Sequence, residues 1–163
     1  MRLVRVVLPF LLASAMCVAS PQTAIQLQYD KMCQAARHRF LDGILSVRAP
    51  SYVAYNALGH AMGRQQELEN LGGALKKAAS VDEAVKILDC RMVGATEAQL
   101  TVHDLMQFLW PGDLAAGRAP IMVETLSRDT WVYGTGGWRL QTSRILSQRS
   151  RRDPGYVVPA TVR

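Results

Sequence analysis

The spacing of apolar residues divides the chain into a helical half and a strand half. Ile25, Tyr29, Met32, Ala36, Phe40 and Ile44 recur at steps of three or four, which predicts one face of a helix. Ser20-Pro21 and Thr23-x-x-Gln26 supply its start signals, a capping side chain, a first-turn proline and a capping-box pair. Asp42-Gly43 is expected to break or bend this helix, and Ala49-Pro50 to end it, because the residue before proline avoids helical angles. Residues 52–58 are rich in β-formers and predict a short strand, followed by a turn bracketed by Gly59 and Gly63. Residues 64–79 predict a second helix with Leu68, Leu71, Leu75 and Ala78 on one face. Its acids, Glu67 and Glu69, come early and its Lys76 and Lys77 late, as the helix dipole prefers. Ser80 and Glu83 predict another cap and a short helical turn.

Beyond this point the period falls to two. Residues 86–93 and 99–110 read as strands joined by a tight turn at 94–97, a hairpin. Residues 111–118 read as a loop, 121–133 as a third strand, 134–137 as a glycine-rich hairpin turn, and 138–148 as a fourth strand. Helices followed by an antiparallel meander predict an α+β domain, with helices packed on one face of a strongly curved sheet. A curved sheet folded over helices encloses a cavity, the usual place for a ligand.

Length and composition agree with one globular domain: 163 residues, 49% hydrophobic and 20% charged. The N-terminus changes the picture. Arg2 and Arg5 precede an apolar run too short to span a bilayer, and small residues follow at cleavage spacing. Residues 1–19 therefore predict a signal peptide, residues 20–149 the folded domain, and residues 150–163 a basic, loosely ordered tail. The expected location is extracytoplasmic, periplasmic or secreted, with no stable membrane span after cleavage. Loss of Arg2 and Arg5 would take the net charge from +6 to +4. The remaining charge gathers late, at Arg139, Arg144, Arg149, Arg151 and Arg152, and reads as a solvated strand edge. Without aromatic-basic interleaving, nucleic acid is not an expected partner. Cys33 and Cys90 would remain, and the sequence allows either a disulfide or two free thiols.

Several segments resemble a known group. Ser127-Arg128-Asp129-Thr130-Trp131-Val132-Tyr133, Gly136-Gly137-Trp138-Arg139-Leu140 and Ser143-Arg144 look like the final hairpin of the nuclear transport factor 2-like superfamily, closest to its SnoaL-like members. Ala49-Pro50-Ser51-Tyr52-Val53, Gly59 and Gly63-Arg64-Gln65-Gln66-Glu67 resemble the group's first strand, turn and third helix. The resemblance covers roughly residues 24–149. It implies a cone of three helices against a bent sheet with a pocket between them. Its members include isomerases, cyclases, dehydratases, hydrolases and proteins of no known activity, and several dimerise through the sheet, so a homodimer is an implied arrangement. Arg39 and Ser51 stand where many members carry aspartates. The isomerase-type aspartate therefore has no secure counterpart.

Asp104 is the leading candidate for chemistry. Alternation puts it on one face with Leu100, Val102, Met106, Phe108 and Trp110. If that face is concave, desolvation would raise its pKa and suit it to acid–base work. Burial of the other face, or an arginine such as Arg144 beside it, would remove that role. His103 points the opposite way. Tyr29, Tyr55, His60, Trp110 and Trp131 are the other expected pocket residues, although His60 also fits a solvent-exposed turn. No metal-ligand spacing, phosphate loop or nucleotide motif occurs, so neither metal nor cofactor is expected. The leading expectation is a module that binds a small, largely apolar molecule. A cofactor-free isomerase, cyclase or dehydratase and an interaction protein working through its sheet are the alternatives.

Overall fold

A computed structural model describes residues 20–152; the expected leader, residues 1–19, and residues 153–163 of the expected tail lie outside the described residues. The elements are α1 (Pro21–Arg37), α2 (Leu41–Ser46), β1 (Arg48–Tyr55), β2 (Ala61–Gly63), α3 (Arg64–Lys77), β3 (Ser80–Met92), β4 (Glu97–Leu109), α4 (Pro111–Ala115), β5 (Ile121–Gly134) and β6 (Gly137–Arg152). The six strands form one sheet in the order β2-β1-β6-β5-β4-β3. Pairing is antiparallel except between β1 and β6, which run parallel. Three helices, α1 to α3, lie with the inner face of this curved sheet. Among the described residues no helix is long and apolar enough to cross a membrane.

The start of α1 follows its sequence signals. Ser20 accepts a hydrogen bond from the Thr23 backbone N–H at 3.2 Å, with Pro21 in the first turn. Ile25, Tyr29, Met32 and Ala36 are all buried, and Gln26 ties the helix to β3 by donating to the Val85 carbonyl at 3.0 Å.

The helix breaks earlier than expected. Arg39 adopts φ 55°, and the N–H groups of Phe40 and Arg39 donate to the carbonyls of Ala35 and Ala36 at 2.8 and 2.9 Å. This is a Schellman ending, with arginine where glycine is usual. Asp42-Gly43 falls inside α2 instead of breaking the helix. Gly43 is required there for space: a Cβ would stand 2.7 Å from the Ala35 Cβ and 2.7 Å from Phe40 Cδ1. Gly43→Ala should therefore cost about 1–3 kcal/mol through overpacking of α2 on α1. A shift of the urea midpoint at unchanged slope would report it, and a wild-type midpoint would show that the two helices yield.

Three further differences have physical causes. The expected helical turn at Ser80 and Glu83 is strand, because Ser80 to Glu83 pair with Leu109 to Met106 of β4 and long-range pairing overrides a local cap signal. The first strand starts at Arg48, with Pro50 in the register shift between Arg48 and Val53, where proline's missing donor does least harm. Finally, β6 reaches Arg152, so residues 150–152 pair with β5.

Candidate functional site

Strand register defines the inner face. On β4 the residues Ala98, Leu100 and Val102 are buried, and Asp104, Met106, Phe108 and Trp110 continue the same face half-buried. Opposite them on β5 stand Trp131, Asp129, Ser127, Thr125, Val123 and Ile121. Packing is closed at the Trp131 end and more open from Asp104 onward. Asp104 thus lies where the buried residues of this face give way to half-buried ones, among them Phe108 and Trp110, whose rings stack at 5.7 Å and 5°.

The closed end is a hydrogen-bonded network. Trp131 Nε1 donates to the Tyr29 hydroxyl at 2.9 Å, and that hydroxyl donates to Asp129 Oδ2 at 2.6 Å. Ser143 donates to Asp129 Oδ1 at 2.7 Å. The Tyr29 and Trp131 rings meet edge to face at 4.9 Å. Burial pushes the Asp129 carboxyl up, against the pull of its donors, and pushes Tyr29 well above its ordinary value. Beside this network Arg48 Nη1 lies 2.6 Å from Glu67 Oε2, with both side chains buried, 7% and 17% exposed. Its N–H groups are not aligned on the carboxylate, so this is a charge contact more than a hydrogen bond. The guanidinium also covers the Tyr52 ring at 4.8 Å.

Asp104 and Glu83 differ from these groups. Asp104 Oδ1 and Glu83 Oε2 are buried and accept no hydrogen bond from the described residues. Burial pushes both carboxyls up, with the charge of Asp129 adding to the effect on Asp104 and that of Asp104 to the effect on Glu83. Buried polar groups without partners are rare in folded proteins, because each one forfeits its bonds to water. Arg144 does not supply the missing bond. It sits on the outer face, opposite Arg128 and 4.5 Å over the Tyr55 ring.

The other expected pocket residues separate accordingly. Tyr29 and Trp131 lie at the closed end, and Trp110 at the half-buried end. Tyr55 falls outside the pocket, since alternation along β1 buries Tyr52 and Ala54 and turns Tyr55 to the outer face. His60 is exposed in the turn between β1 and β2, where its N–H donates to Asn56 Oδ1 at 2.9 Å. His103 is also on the outer face, 2.8 Å from Glu124 Oε1, in a groove of about 410 Å³. The Arg149 bond, with help from His103, holds the Glu124 carboxyl down to about 2. Cys33 and Cys90 are free thiols. Cys33 meets the Val85 backbone, and Cys90 is five residues further along β3. Five extended residues span roughly 16 Å. A disulfide needs Cα atoms within about 7 Å. Sequence reading missed Arg48, Tyr52, Glu67, Glu83 and Ser143. Only Glu83 left a signal, its parity with Val81, Val85 and Ile87, hidden by the expected helical turn.

The architecture has solved counterparts. It is similar to a putative scytalone dehydratase from Novosphingobium aromaticivorans, with a TM-score of 0.70, 13% identity, and 83% of this chain and 89% of that chain covered. It is similar to LinA, with a TM-score of 0.67, 13% identity, and 85% and 92% covered. A nuclear transport factor 2-like protein from Cytophaga hutchinsonii gives a TM-score of 0.60, 9% identity, and 79% and 99% covered. The fold is nuclear transport factor 2-like. No family model and no curated protein matches the chain.

Within this nuclear transport factor 2-like cone, helix and sheet also leave a cleft between α1 and β3. It holds about 370 Å³ and is lined by Cys33, Arg37, Glu83 and Val85 among others. Arg37 bridges it, pairing with Asp82 and donating to the Glu83 carbonyl at 2.9 Å. Burial pushes the Cys33 thiol up to about 12, so it lines the cleft as a neutral, unreactive group.

Proposed function

We propose that this chain is an exported domain that holds a small, largely apolar ligand in the mouth of its cone, with Asp104 as the polar contact. The observation that carries the reading is Asp104 itself. Its buried Oδ1 has no partner among the described residues, and Met106, Phe108 and Trp110 continue its face. A ligand with an apolar body and a polar group would satisfy both features at once. Export rests on the leader in residues 1–19. A homodimer through the sheet fits the exposure of Leu88 and Leu146, 52% and 41%, on β3 and β6.

A second reading is a cofactor-free isomerase, cyclase or dehydratase with Asp104 as acid or base. The specific support is a half-buried carboxyl pushed up toward neutrality with a free oxygen, the state in which it can hold or release a proton near pH 7. The dehydratase described among the similar structures adds a precedent for the fold, at 13% identity.

The neutral dye Nile red tests the pocket. Wild-type protein should bind it with enhanced, blue-shifted emission, and Trp110→Ala should weaken binding about five- to tenfold, as expected for loss of a large apolar contact. Native mass spectrometry of protein purified from the exported fraction should show a co-purifying small molecule. If wild-type protein neither takes up Nile red nor carries a molecule, the pocket reading fails.

A further inference from the structure

We infer that the ligand is cationic, a protonated amine held between Asp104 and Glu83 with its apolar body against Met106, Phe108 and Trp110. The inference rests on the pocket reading and adds the chemistry of what the pocket accepts.

Register brings the two carboxyls together. Asp104 pairs with Val85 and Glu83 with Met106, so the two acids are diagonal neighbours on the inner face of adjacent strands. Diagonal neighbours stand roughly 7–8 Å apart at the backbone, a span two carboxyl side chains can close around one small group. Glu83 is 3% exposed, and its Oε2 has no partner among the described residues. The surrounding cations are committed elsewhere. Arg48 faces Glu67 and covers Tyr52, and Arg37 takes Asp82 and the Glu83 backbone carbonyl, leaving the Glu83 carboxylate free.

Once ionised, the two carboxyls present acceptors and negative charge, and no donor of the described residues reaches their buried oxygens. An ammonium supplies up to three donors and the balancing charge, and its bonds to carboxylates are the strong, charge-assisted kind. A hydroxyl supplies one donor and no charge. Among the described residues no group of three or more acids, histidines or cysteines could hold a metal ion, which favours an organic cation. The stacked Phe108 and Trp110 rings extend the match, since aromatic faces attract cations and flat apolar bodies alike.

Calorimetric titration at pH 8 with 2-phenylethylamine and its uncharged analogue 2-phenylethanol tests the inference, with Nile red uptake measured on the same samples. The amine should bind at least about tenfold more tightly than the alcohol, and Asp104→Asn and Glu83→Gln should each remove most of that preference. Circular dichroism of each variant shows whether it is folded; one folded variant suffices. Nile red uptake with equal affinity for amine and alcohol, or with a preference that both variants keep, overturns the cationic ligand and leaves the pocket standing. Absence of Nile red, amine and alcohol binding overturns both.

Discussion

Arg48→Met should destabilise the domain by about 3–5 kcal/mol, read as a lower denaturant midpoint, because it leaves Glu67 buried and unpaired. The pair joins β1 to α3 inside the cone, and both side chains are largely withdrawn from water. Burial pushes the Glu67 carboxyl up, while Arg48 and the Tyr52 hydroxyl pull it back down. Removing the guanidinium takes away the first of those counterweights and also uncovers the Tyr52 ring. The double variant Arg48→Met/Glu67→Leu should recover most of the loss, since apolar side chains of similar volume commonly replace a buried ion pair at little cost. A single variant within about 1 kcal/mol of wild type would mean that water reaches Glu67 and that the pair is a surface contact in energetic terms.

The free carboxyls should make stability depend on pH in the direction opposite to ordinary salt-bridged acids. Burial raises Glu83 to about 8 and Asp104 to about 7, from unfolded values near 4. Below about pH 4 both are protonated in the folded and unfolded chains, and the fold bears no penalty. As pH rises, the unfolded chain ionises first, so stability falls until the folded groups also ionise near pH 8. The groups facing the pair are Cys33 and Arg37 from α1, Arg48 from β1, Asp82 from β3 and Asp129 from β5, with His103 on the other side of β4. Glu83→Gln should therefore raise stability at pH 8 by on the order of 2–4 kcal/mol and leave it near wild type at pH 4. Thermal unfolding of both proteins from pH 4 to 9 reads the difference. Curves that stay parallel over the whole range would count against a buried, ionisable Glu83. Any cation that occupies the pocket should shrink the effect.

The fold was legible mainly where period alone decides it. Alternation along residues 99–110 put Asp104 and Trp110 on one face with Leu100 and Val102, because a strand's facing survives any error in its ends, and the packed sheet decides that this face is the inner one. Phe40, read onto the α1 face, precedes α2 and is exposed, whereas as far as Ala36 that face was legible for the same reason. The break after α1 was not: it depends on Arg39 in a left-handed conformation, and arginine carries no such local signal. Tyr55 and Tyr52 show how the site slipped. They are three residues apart on a strand, so they point to opposite faces, and only pairing with β6 says which is inside. Glu67 illustrates the other limit. In a helix's first turn an acid reads as a partner for the dipole, and nothing local predicts that a residue 19 positions earlier will meet it inside the core.

The parallel pairing of β1 with β6 has a consequence for how the chain reaches this state. Arg48 lies beside Leu140, so the strand that follows the first helices finds its neighbour only near the end of the sequence. Such a distant closure costs chain entropy before any contact offsets it, and contacts of this separation slow folding. The β3-β4-β5 meander, with α1 packed on β3, can form from nearer segments, whereas β1 has only the short β2 beside it until β6 is made. The inner edge of β1 is thus covered late, by the strand that lies farthest from it along the described residues.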